Sequence, residues 1–335
     1  MWQAPWGYPE SFVIILGLII IGLSLQVTIG GFNFYLLAQP INYVMCGVVA
    51  MLSIIIGLSV KRSSMARWIV GVPLTVALIL ALLALTLIMG IIPQMPYSST
   101  ILGFDSMTSN WAFVIIYSLV VLVLGAIVVN RLRIFRLSDI AFYFNHIGLY
   151  IVLLASGIGY ADMERYIMYV NEGETQWCVY DNDKNIKELP IAITLNDFNA
   201  EYYPSKPIYF DVETGEIQRG NPSKYEGNEQ YRMVMSEPDP KRFSSDVEVY
   251  TKDGLDISAT IEVNKPLKVG SWIIYQYGYD SRAGSQSSYS SFELVYDRWL
   301  MPVYIGIVMM MLGSVIMILT GHNSKESAKN SSKKV

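Results

Sequence analysis

Two histidines, His146 and His322, and two cysteines, Cys46 and Cys178, are the chain's whole stock of strong metal-binding and redox side chains. His146 falls inside an apolar stretch, residues 140–160, long enough to cross a bilayer. An imidazole at that depth is costly to leave unpaired. Its neutral ring can ligate haem iron, or it can hydrogen-bond a neighbouring helix and tie two spans together. His322 stands beside Gly321 at the end of the last apolar stretch, where a polar side chain reaching the interface is expected without any ligand role. No CxxC occurs, so thiol–disulfide exchange and a Cys-rich zinc site have no residues to rest on. GxxxxGK and paired catalytic carboxylates are also missing, which removes the kinase and hydrolase readings. The 16 methionines fit adaptable packing in apolar helices, and none is singled out as an iron ligand.

The elements that must position His146 are legible as six apolar segments, at about residues 12–30, 41–60, 68–92, 111–130, 140–160 and 299–320. Charge separates them from the rest. Residues 161–298 hold 24 of the 28 Asp and Glu but 14 of the 24 Lys and Arg, a net charge of −10 against +6 elsewhere. The ten basic residues outside that segment lie in three places: Lys61, Arg62 and Arg67; Arg131, Arg133 and Arg136; and Lys325, Lys329, Lys333 and Lys334. With six spans and an inside N-terminus all three fall on one face, which the positive-inside rule makes cytoplasmic. The first ten residues contain no Lys or Arg, so the first span is expected to stay as an anchor rather than be cleaved as a signal peptide. Two nearly uncharged aromatic loops join the first four spans in pairs, one at residues 30–34 and one around residues 103–111, and a duplicated hairpin is one explanation.

From Leu189 onward the period changes to short alternating runs at residues 191–195, 245–250, 259–263, 272–277 and 292–296, which is strand patterning. Asp253-Gly254 marks a hairpin, and Asn221-Pro222 and Pro238-Asp239-Pro240 mark loops. Residues 281–291, rich in Ser, Gly and Tyr, are expected as a mobile loop, and residues 323–335 as a solvated, partly disordered tail beside anionic lipid. The fold class is therefore a membrane α-helical protein of about six transmembrane helices, with one β-rich extracytoplasmic domain inserted before the last helix. Its expected divisions are 1–160, with about five spans; 161–298, a β-rich sandwich or partial barrel; 299–320, the final span; and 321–335, a cytoplasmic tail.

Four phrases are more specific. They are Phe144-Asn145-His146-Ile147-Gly148-Leu149; Leu189-Pro190-Ile191-Ala192-Ile193 with Asp197-Phe198 and Glu201-Tyr202; Phe243-Ser244-Ser245-Asp246-Val247; and Val263-Asn264-Lys265-Pro266-Leu267 followed by Gly270 and Tyr275-Gln276. In this order, with a final span, they resemble the ResB family of System II cytochrome c biogenesis proteins, called CcsB in other lineages, over roughly residues 140–320. The resemblance implies a non-autonomous subunit of a haem lyase complex. Such a subunit works with a CcsA-like haem-handling membrane protein, and the pair moves haem outward and presents it to the CxxCH motif of apocytochrome c. It implies the bacterial inner membrane, cytoplasmic termini and a periplasmic domain, with membrane lipid but no nucleic acid among the partners. The family's transmembrane histidine corresponds to His146, as axial ligand to the iron of a haem b whose second imidazole comes from the partner. The family commonly has three spans before its soluble domain, and this chain has five, so roughly the first 60 residues lie outside what the resemblance explains.

Residues 263–267 and 272–279 could form a docking surface for apocytochrome or partner, with Asn264, Pro266, Trp272, Tyr275 and Gln276 as its contacts. The same residues also suit a turn shaped by Asn264 and Pro266, and a strand in which Trp272, Ile274 and Gln276 alternate with Ile273 and Tyr275. A non-haem scaffold that recruits apocytochrome or steadies a CcsA-like partner stays open as the alternative function. A self-contained b-type cytochrome is weaker, since one intramembrane histidine cannot supply two ligands.

Overall fold

The computed structural model describes residues 4–95, 100–180, 185–218, 225 and 229–332, with side chains described as far as Thr320. It divides into two units, Met1–Met163 with Arg298–Val335 and Glu164–Asp297.

The first unit is helical. Its helices are α1 (Tyr8–Ile29), α2 (Ile41–Ser59), α3 (Ser64–Ile69), α4 (Val72–Ile91), α5 (Trp111–Leu132), α6 (Ile140–Gly159) and α7 (Leu300–Ser332). All but α3 are long and apolar enough to cross a membrane, the pattern of a multi-pass membrane protein. α1 starts four residues before the apolar run, because Pro9 suits a first helical turn and the Glu10 carboxylate accepts the Gly7 N–H at 2.9 Å. The third apolar run is split: Trp68 and Ile69 belong to α3, and the chain restarts at Val72 with Pro73 in the first turn of α4. α7 runs on through Ser332, where a disordered tail was expected. Lys325, Glu326, Ala328 and Lys329 are good helix formers, and they extend a helix already nucleated by the span.

The core between α1, α4 and α5 is built from Ile15, Leu78, Leu85, Ile116 and the loop residue Met107. The two aromatic loops interlock across it. The Phe32 N–H donates to the Ser109 carbonyl at 2.7 Å, the Trp111 indole donates to the Gly30 carbonyl at 3.0 Å, and the rings of Phe32 and Trp111 meet edge to face at 5.0 Å.

α6 and α7 approach more closely than side chains at the contact would allow. A Cβ at Gly148 would lie 2.6 Å from the Gly306 carbonyl oxygen, and one at Gly306 would lie 2.7 Å from the Gly148 carbonyl oxygen. Small residues at a membrane helix contact permit backbone-to-backbone packing. Gly157 lies under the Tyr117 ring and Gly159 under Trp299, so all three glycines of α6 serve packing.

The second unit is a β-sandwich. One sheet has the order β1 (Glu164–Asn171), β11 (Tyr289–Tyr296), β10 (Trp272–Tyr279), β9 (Leu267–Val269). The other has the order β2 (Thr175–Tyr180), β3 (Ile186–Tyr202), β7 (Pro240–Thr251), β8 (Asp256–Glu262). A small sheet of β5 (Ile217–Gln218), β4 (Pro207–Asp211) and β6 (Tyr231–Met235) is added from the β3–β7 connection. The strands of each sheet pair antiparallel. Both large sheets contribute alternate residues to one core: Met168, Phe292, Leu294 and Ile274 from the first, Ile193, Leu195, Val249 and Ile261 from the second. Phe292 is fully buried there, so Phe292→Ala should cost about 3–5 kcal/mol and lower the melting temperature of the whole protein. An unchanged melting curve would mean that this core does not limit stability.

The Asp253-Gly254 hairpin joins β7 to β8, with Gly254 at φ +80°, and residues 236–239 of the expected Pro238 loop carry no strand or helix. Asn221-Pro222 lies outside the described residues. The expected mobile loop at residues 281–291 is shorter. Tyr289 begins β11, and Ser290 and Ser291 are both buried, with Ser290 on the face toward the other sheet, where the Ser245 hydroxyl meets it at 2.9 Å.

Candidate functional site

His146 lies two turns into α6, half-buried. Its Nδ1 is 3.1 Å from the Phe142 carbonyl oxygen one turn back in the same helix, and its ring stacks on the Phe142 ring at 3.8 Å between centroids. A carbonyl can only accept, so a neutral His146 carries its hydrogen on Nδ1 and keeps the lone pair on Nε2. Backbone carbonyls fix the tautomer of metal-binding imidazoles in this way. The guanidinium of Arg131 lies over the Phe142 ring, 5.7 Å from its centroid, and Nε of Arg131 donates to Asp139 at 2.9 Å.

The tie to a neighbouring helix that His146 could have made is made by Asn145. Its side chain donates to the Ala141 carbonyl at 3.1 Å and accepts from the Ser314 hydroxyl of α7 at 3.3 Å, while its Cγ would be 2.8 Å from a Cβ at Gly313. Among the described residues His146 has no hydrogen bond outside its own helix. No group of three or more His, Cys, Asp or Glu able to hold a metal ion exists among the described residues. An imidazole whose Nε2 lone pair is not committed to a hydrogen bond is able to ligate a metal ion. The reading of His322 concerns a side chain outside the described ones.

The five expected docking residues are not brought together. Asn264 and Pro266 are exposed in the turn between β8 and β9, where Asn264 takes φ +65° and the Lys265 N–H donates to the Glu262 carbonyl at 3.0 Å. Arg242 at 2.6 Å and Lys265 at 3.2 Å pair with the Glu262 side chain beside this turn and hold its carboxyl below the ordinary carboxylate range. Tyr275 is half-buried on the outer face of β10.

Trp272 and Gln276 are corrections. Both point into the sandwich at 8% exposure, because the strand period that turns Tyr275 outward turns them inward. The Trp272 ring packs at 5.0 Å from Tyr296, and the Gln276 amide donates to the Ser290 hydroxyl at 2.7 Å. The Ser245 hydroxyl of the other sheet donates to the same oxygen at 2.9 Å, so Gln276 helps join the two sheets instead of meeting a partner. Nearby, burial and the Tyr202 hydroxyl, 2.9 Å away, push Tyr279 up to about 12.

Sequence reasoning gave no role to Asp162. Its carboxylate accepts the Gln39 N–H at 2.8 Å, the Asn42 side-chain amide, and the Trp299 indole at 2.9 Å, while Arg298 donates to the Gln39 side chain at 2.8 Å. It thus joins the start of α2 and the start of α7 to the end of α6, and Trp299 serves as more than an interfacial aromatic.

Residues 135–288 match the family model described as the ResB-like family. That segment of the chain is similar to the ResB-like family. It contains His146 and all four of the sequence phrases quoted above, and it leaves α1 to α5 and α7 unmatched. No curated protein matches the chain. Among solved structures, one described as cytochrome c heme lyase CcmF aligns at 14% identity over 93% of this chain and 46% of its own length, with a TM-score of 0.34. This chain spans about half the length of that structure.

Proposed function

We propose that this chain is the ResB-like subunit of a System II cytochrome c synthase, which holds haem b through His146 and works beside a CcsA-like membrane partner. The ResB-like match over the segment containing His146 supports a role in cytochrome c biogenesis. The observation that carries the haem assignment is the state of the imidazole: Nδ1–H is committed to the Phe142 carbonyl, Nε2 is free, and Asn145 does the helix-tying work that would otherwise explain a polar residue there.

Haem is the cargo in this reading, and bound at His146 it supplies the porphyrin that ends attached to the CxxCH motif of apocytochrome c. The chain's own residues bind and orient it. The Phe142 carbonyl and ring fix the plane and tautomer of His146, and a second ligand to the iron would be supplied by the partner. His146 is six residues from the start of α6, a rise of about 9 Å, and the positive-inside rule makes that end cytoplasmic. Haem would therefore be taken up from the cytoplasmic side of the bacterial inner membrane. The β-sandwich would stand in the periplasm, where Asn264, Pro266 and Tyr275 are the residues left to meet apocytochrome or the partner.

The test is co-expression. Cells that make this chain, a CcsA-like partner and an apocytochrome bearing CxxCH should form covalent haem protein, and omission of either membrane protein should abolish it. Equal yield without this chain would sink the proposal.

A further inference from the structure

The helical unit contains a cavity of about 480 Å³ that is separate from His146. Its walls are the facing sides of α2, α5 and α6, and its roof is the aromatic loop between α1 and α2. Phe32 and Phe34 meet edge to face at 5.0 Å, and Phe34 meets Tyr160 at 5.3 Å, which closes one end with rings. Val49, Val121 and Leu154 line it deeper in the spans.

Three properties define what it takes. No charged side chain and no imidazole lines it, so neither iron nor the two carboxylates of haem would find a partner. Two of the hydroxyls of its wall are spent inside the protein: the Tyr117 hydroxyl donates to the Leu153 carbonyl at 2.7 Å, and the Ser156 hydroxyl donates to the Val152 carbonyl at 2.5 Å. Its long axis follows the helices. Lining residues run from Phe113 to Val121 along α5, a rise of about 12 Å, and from Leu153 to Tyr160 on α6, whose outer end lies beside the start of α5.

We infer that the cavity is a binding site for a single acyl chain of a membrane phospholipid. The chain lies parallel to α5 and α6, and the headgroup stays at the ring of Phe32, Phe34 and Tyr160. A volume of this size is in the range of small-ligand pockets, and an apolar cavity excludes water in favour of hydrocarbon. The loop that the ResB-like match leaves unaccounted for thereby gains a role as the lid over a lipid chain. The inference rests on the spans crossing a bilayer and is independent of haem at His146.

The test uses the full-length protein in phosphatidylglycerol nanodiscs doped with phosphatidylcholine that carries a photoactivatable diazirine at the end of one acyl chain. After illumination, labelled residues are mapped by mass spectrometry. The expected result is labelling of Val49, Val121 and Leu154 well above Leu83, an exposed residue near the middle of α4. Val49→Phe and Ser118→Phe, which fill the cavity from different helices, should each cut that labelling roughly tenfold, the effect of about 1.4 kcal/mol of lost binding. Labelling of Leu83 should not change. Cavity labelling no higher than at Leu83 would overturn the site without any variant being needed. Strong labelling unmoved by either filling would also overturn it, since the lipid would then lie outside the cavity. Displacement of the acyl probe by a geranylgeranyl probe, but not by unlabelled phospholipid, would overturn the acyl assignment in favour of an isoprenoid chain.

Discussion

Gly148→Leu is expected to force α6 away from α7 and to destabilise the helical unit by about 3 kcal/mol, the upper end of the usual cost of overpacking. The two backbones touch at this point: each of Gly148 and Gly306 faces the other's carbonyl oxygen at a distance no Cβ can share. The neighbouring Met310 offers a flexible side chain, but Met309 is met at its Cβ and Gly306 at its main chain, neither of which can rotate out of the way. The strain spreads, because the Asn145 contact with Gly313 and Ser314 lies on the same face of α6. Gly17→Leu is the matched control, since nothing lies within 4 Å of its Cβ position. Denaturation by sodium dodecyl sulfate in mixed micelles measures both. Equal midpoints for the two variants would show that α6 and α7 are not held together at these glycines.

His146→Ala is expected to lower holocytochrome yield by at least about tenfold, since even residues that only orient a metal ligand cost 10–100-fold when lost. Protein level should change little. The imidazole's one hydrogen bond is to its own helix, and its ring contact is to Phe142 one turn away, so alanine breaks no tie to another element. Asn145→Ala should behave in the opposite way, with a weaker α6–α7 pair and iron binding intact where the protein accumulates. This pair of neighbours separates the two readings of an intramembrane histidine. A scaffold without haem predicts full yield from His146→Ala.

The spans were legible because an apolar run of the right length has few alternatives, and errors were confined to ends where caps and prolines decide, as at Tyr8 and Val72. The β-sandwich was only half legible. β7, β8, β10 and β11 alternate cleanly, whereas β3 is interrupted by Pro190 at a point where its pairing with β2 slips, and β1 and β2 precede the first clear alternation. Ser290 looked like a loop residue because a hydroxyl's burial depends on partners contributed by Gln276 and Ser245, which local sequence does not reveal.

Strand period placed Trp272, Tyr275 and Gln276 on alternate faces without saying which face was inner, and the docking expectation took both. His146 itself was evident from its rarity. The Phe142 carbonyl that sets its tautomer follows from helix geometry alone, since it lies four residues back. Asp162 was hidden because its partners Asn42 and Trp299 are 120 and 137 residues distant, and only the folded helices bring them together.

The most direct test of haem ligation by His146 is the reduced-minus-oxidised visible spectrum of the complex purified with a CcsA-like partner, wild type against His146→Ala at matched protein. The account predicts a low-spin b-type spectrum in the wild type that is lost, or turns high-spin, in the variant. The same low-spin spectrum in both would contradict it, because iron would then be held without this imidazole.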